Sequence, residues 1–133
     1  MTRNRASAKK AGTAMETLVA NYLAETLDDD RIERRARNGA KDRGDIGGVQ
    51  SIMRERIVIE VKDYGGRLMP GPWLTEARIE AGNDDAPVAV VVAKRRGTTD
   101  PAKQYVLMEL QDFARLIGGS PKHECDCPID HTI

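Results

Sequence analysis

The sequence predicts an α/β fold: a mixed β-sheet of about five strands flanked by helices, in a single domain. Three observations predict it. Residues 87–93 (Pro87 to Ala93) carry no polar side chain, which marks a central strand covered on both faces. Residues 57–61 are apolar and mostly β-branched, broken only by Glu60. Ahead of both, Met15, Leu18, Val19, Tyr22 and Leu23 recur at i, i+3, i+4, i+7 and i+8, the spacing of an amphipathic helix. With 133 residues the chain can build one core but not two.

Residues 1–11, with Arg3, Arg5, Lys9 and Lys10, read as a basic flexible arm, residues 12–119 as the folded domain and 120–133 as a flexible tail. The first helix runs roughly four turns and stops before Asp28-Asp29-Asp30, with Glu16 on the flank of its stripe. Residues 31–37 are short and charge-rich, as suits an edge strand. A glycine-bearing loop, 38–44, follows. The next strand starts at Asp45, and a turn centred near Ile52-Met53 returns the chain into Ile57–Lys62. Residues 63–67 open a loop, and Pro72 suits the first turn of a helix over 73–81 that uses Trp73 as a core anchor. The buried strand at 87–93 exits into the basic cluster Lys94-Arg95-Arg96. A strand over 104–110 and a helix over 111–117, stopped by Gly118-Gly119, complete the domain.

Charged residues make up 32% of the chain and aromatics only 4%, so aliphatic side chains must form the core. The 21 basic and 21 acidic residues cancel, which turns attention from bulk charge to its distribution. No window is long and apolar enough for a membrane span, and a soluble, cytoplasmic protein is expected. Cys125 and Cys127 are too close for an ordinary disulfide framework. With His123 and His131 they could hold Zn²⁺, although Cys-x-Cys lacks the usual two-residue gap.

The hairpin is where chemistry concentrates. Side chains alternate along a strand, so Glu60 and Lys62 share one face with Val58, while Ile57, Ile59 and Val61 share the other. A turn at 52–53 sets Asp45 opposite Glu60. Two opposed, buried carboxylates repel unless a cation sits between them. Oxygen donors of this kind suit a hard ion such as Mg²⁺.

Asp45, a fourteen-residue gap and then Glu60-Val61-Lys62 resembles the D…(D/E)-x-K signature of the PD-(D/E)xK nuclease superfamily. The Gly12-x-x-x-Glu16 helix and Gly44-Asp45-Ile46 resemble its archaeal-type Holliday junction resolvase branch, though Gly44 stands where the motif has proline. The resemblance covers about residues 12–96. It implies a restriction-endonuclease-like sheet and a Mg²⁺- or Mn²⁺-dependent endonuclease acting on four-way or other branched DNA, assembled as a homodimer. It also implies that Asp45, Glu60 and the Val61 carbonyl ligate the metal and that Glu16 completes the site. Lys62 would position or deprotonate the attacking water. Candidate phosphate contacts are Arg35, Arg37, Lys41, Arg43, Arg67, Lys94, Arg95 and Arg96. Two other expectations compete: a nuclease of duplex or DNA ends, and a non-catalytic DNA-binding protein whose carboxylates pair with the local arginines.

Overall fold

The computed structural model describes residues 4–36 and 41–119. Arg37 and the four tail residues weighed as zinc ligands (His123, Cys125, Cys127 and His131) lie outside them. Helix α1 spans Arg5–Thr26. The Asn4 side chain caps it, accepting from the Ser7 N–H at 2.8 Å. Residues 5–11, expected as a loose arm, are therefore its first two turns. Alanine and lysine are strong helix formers, and with a cap in place they need no apolar stripe to start a helix.

Among the described residues, five strands follow the order β1-β2-β3-β4-β5 across one open, mixed sheet. They are β1 (Glu33–Arg34), β2 (Ile46–Gly47), β3 (Ile57–Lys62), β4 (Val88–Ala93) and β5 (Tyr105–Leu107). β3 and β4 run parallel from Ile57↔Val88 to Lys62↔Ala93, and every other pair is antiparallel. Helix α2 (Pro70–Asn83) makes the crossover between the parallel strands, and α3 (Leu110–Leu116) closes the domain. α2 starts two residues earlier than Pro72 suggests, because Pro70 itself occupies the first helical position, where its missing N–H costs nothing.

The two faces of the sheet have separate cores. α1 lays Met15, Val19 and Ala20 against Ile46, Ile59, Val61 and the even-numbered valines of β4. α2 lays Trp73, Ala77 and Ala81 against Val58, Ala89, Val91 and Ala93. β4 is buried along its whole length, as its unbroken apolar run requires. The α1 stripe is rotated from its expected position: Leu18 is exposed while Glu16 and Ala20 turn inward. Trp73 is a core anchor, with the Tyr64 ring centred 5.1 Å from its own.

Candidate metal centre

The β2–β3 hairpin sets the register of the site. Ile46 pairs with Ile59, and the Asp45 N–H donates to the Ile59 carbonyl at 2.9 Å, so Asp45 stands opposite Glu60. Nearer the turn the pairing becomes Gln50↔Arg56. Four steps on one strand thus match three on the other, which places a one-residue bulge around Gly47-Gly48. Gly48 has φ +86°, and a Cβ there would lie 2.5 Å from the Arg31 carbonyl oxygen, so glycine is required. Ile52, at the tip, is 96% exposed.

Asp45 and Glu60 are each only 2% exposed. The Val61 N–H donates to Asp45 Oδ2 at 2.7 Å and fixes that carboxylate against the strand. Both groups face α2, which adds two acids that the sequence reading missed. Glu60, Glu76 and Glu80 each bring a carboxylate oxygen within 4.8 Å of the other two. Glu80 is 5% exposed, whereas Glu76 lies at the rim. A signal for Glu80 was available: Trp73, Ala77, Glu80 and Ala81 fall at i, i+4, i+7 and i+8, so a carboxylate sits within an apolar helix stripe. Lys62 Nζ donates to Glu76 Oε2 at 2.9 Å and lies 3.7 Å from Glu60 Oε1.

These acids are crowded with too little positive charge. Burial, then the carboxyl contact with Glu60 and the charge of Glu60, push Asp45 up to about 8, against the lowering effect of the Val61 N–H. Burial, then the contact with Glu80, raises Glu60 to about 8, although Asp45 and Lys62 pull the other way. Glu80 is raised as well, mainly by burial. Burial alone would lower Lys62, but Glu76 and Glu60 outweigh it and hold the ammonium above the ordinary lysine range. In this arrangement Lys62 is a cation rather than a base.

Whether a divalent ion fits can be judged from the donors themselves. Glu60 Oε2 and Glu80 Oε2 are buried and have no hydrogen-bond partner among the described residues. Each such atom carries a desolvation cost that a ligand would relieve. All the donors are oxygens, the set a hard dication selects. The residues fit.

Glu16 does not join this cluster. It lies on the α1 side of the sheet, buried, and accepts from Arg34 Nε at 2.6 Å. Asp45 feels its charge only as the smallest of the influences on it. Glu16 does line a groove of about 1140 Å³ that opens beside Lys62, between the first half of α1 and the loop after β3. Arg5, Lys9, Arg34 and Arg67 line the same groove, a basic excess over Glu16 and Asp63. Among the described residues, nothing lies within 4 Å of where a Cβ on Gly12 would stand.

The other expected phosphate contacts divide. Arg67 lines the groove, and Arg96 packs beside the same loop, with Nε 3.4 Å from the Gly65 carbonyl. Lys41 is exposed. Arg35 and Arg43, joined by Arg56, instead converge on the buried Asp84, with Arg35 Nη1 at 3.1 Å. Lys94 is engaged by the Thr98 carbonyl, and Arg95 lies over the Tyr105 ring at 5.5 Å. Comparisons with protein-family models, with curated proteins and with solved structures find no match.

Proposed function

We propose that this protein is a metal-dependent DNA endonuclease, structure-selective and directed at four-way junctions. One observation carries the reading: Asp45 and Glu60 face each other across the hairpin, both buried, with Lys62 two residues further on. Burying two such carboxylates without a cation is costly, and each is only 2% exposed.

Asp45, Glu60 and the Val61 carbonyl would hold Mg²⁺ or Mn²⁺. There the ion would supply a Lewis acid for phosphate oxygens and a water acidic enough to attack near neutral pH. The Val61 N–H keeps Asp45 in one orientation. Lys62, held protonated by its acidic neighbours, offsets charge developing on the phosphoryl group rather than abstracting a proton. The basic groove beside it would carry the backbone of the scissile strand through contacts that position DNA without reading its sequence. Glu16 helps shape that groove by fixing Arg34. The junction as substrate, and the two-fold homodimer that paired cuts call for, rest on the resemblance in the D…ExK hairpin.

The test is a labelled four-way junction beside linear duplex of the same sequence, each with and without Mg²⁺. Paired nicks near the branch, dependent on Mg²⁺ and absent with Asp45→Asn or Glu60→Gln protein, are expected. Equal cutting of the duplex would remove the junction assignment and leave a general nuclease. No cutting of either substrate would remove both.

A further inference from the structure

We propose that Glu60, Glu76 and Glu80 form a second divalent-cation site on the α2 side of the centre, with Glu60 shared between it and the Asp45 site. It rests on the reading above only through Glu60. The three side chains already bring oxygens within 4.8 Å of one another, a spacing one cation can span. The two orphaned carboxylate oxygens, Glu60 Oε2 and Glu80 Oε2, both belong to this trio, on residues more than nine-tenths buried.

Charge counting points the same way. Asp45, Glu60, Glu76 and Glu80 ionised carry four negative charges, and Lys62 offsets one of them. The remainder exceeds the charge of one dication. A shared proton satisfies one pair of oxygens and leaves the third acid, whereas a cation engages all three at once. Oxygen-only donors with one member at the rim describe a site for Mg²⁺ or Mn²⁺ that keeps part of its water shell.

Occupancy would have a consequence for Lys62. Its ammonium now donates to Glu76 at 2.9 Å, and a cation on Glu76 competes for that oxygen. Lys62 would then be released from α2 toward the groove, which it also lines. Loading the second site and arming Lys62 become one event.

The test counts Mn²⁺ by electron paramagnetic resonance and calorimetry on the whole protein at pH 8, without DNA. Wild type should bind two Mn²⁺ per chain. Glu80→Gln and Glu76→Gln should each bind one tightly and the other at least tenfold more weakly, while Asp45→Asn retains the α2 ion. Glu76 is exposed enough that its variant tests the site without disturbing the core. Wild-type stoichiometry of one, abolished by Asp45→Asn and unmoved by Glu76→Gln and Glu80→Gln, overturns the second site and leaves the nuclease reading standing. One ion that depends on Glu80 and not on Asp45 supports the α2 site and overturns the Asp45 ligand assignment. Absence of any binding overturns both.

Discussion

Raising the pH on the metal-free protein should destabilise it, and the carboxylate pair sets the size of the effect. Asp45 in the fold holds its proton up to about 8, against an ordinary value of 3.8. Between those limits the folded state binds a proton that the unfolded chain has released, so stability falls as pH rises. The contribution is complete below pH 4 and gone above about 8. For one buried carboxyl the full difference is on the order of 5 kcal/mol. Relaxation and water entry reduce it, and a loss of at least about 2 kcal/mol is expected between pH 5.5 and 8.5. In a domain of this size that is a fall in Tm of roughly 6 °C or more. The assay is thermal melting by circular dichroism in EDTA at half-unit pH steps, repeated with saturating Mn²⁺. With the ion present the slope should flatten or reverse, because the metal replaces protons whose loss otherwise costs stability. Asp45→Asn, which cannot ionise, should make the slope in EDTA shallower, with Glu60 and Glu80 keeping the remainder. A metal-free Tm that is level or rising over this range, or a slope undiminished in both Asp45→Asn and Glu60→Gln, would falsify the crowded-carboxylate account.

Three further outcomes follow from the same geometry. Lys62→Met should lower the junction cleavage rate at least about 100-fold while junction affinity stays within threefold, and Lys62→Arg should recover part of the rate, as single-turnover kinetics beside a binding titration will show. Trp73→Ala removes the largest side chain between α2 and the sheet and should cost about 3–5 kcal/mol, read as a lower urea midpoint at unchanged m-value. Arg5→Ala combined with Lys9→Ala should weaken DNA binding and reduce the slope of log K against log salt by roughly 2, measured by fluorescence anisotropy across salt concentrations; an unchanged slope would mean that phosphates do not run along this face of α1.

How much of this was legible beforehand varied with the range of the interactions involved. β3 and β4 announce themselves because a run of β-branched residues buried on two faces has few other uses. The opposition of Asp45 and Glu60 was legible because turn position and strand alternation are local properties, and the bulge at Gly47-Gly48 leaves that pair in register. The first turns of α1 are not legible as helix because their basic composition suits both an arm and a helix, and the Asn4 cap decides between them. Tertiary contacts were less legible still. Glu16 faces inward because Arg34, eighteen residues later, meets it there, and Leu18 is displaced to solvent. Arg35 and Arg43 look free in the sequence, yet a buried aspartate more than forty residues away draws them off. Glu76 and Glu80 are hidden in the sequence for the same reason, since only the crossover of α2 brings them over β3.

The most direct measurement is an anomalous difference map from crystals grown or soaked in Mn²⁺ at pH 8. A peak about 2.1 Å from carboxylate oxygens of both Asp45 and Glu60 is the result predicted for this centre. A map with no peak at this pair under saturating Mn²⁺, with the two carboxyls hydrogen-bonded to each other as in a neutral acid pair, would contradict it.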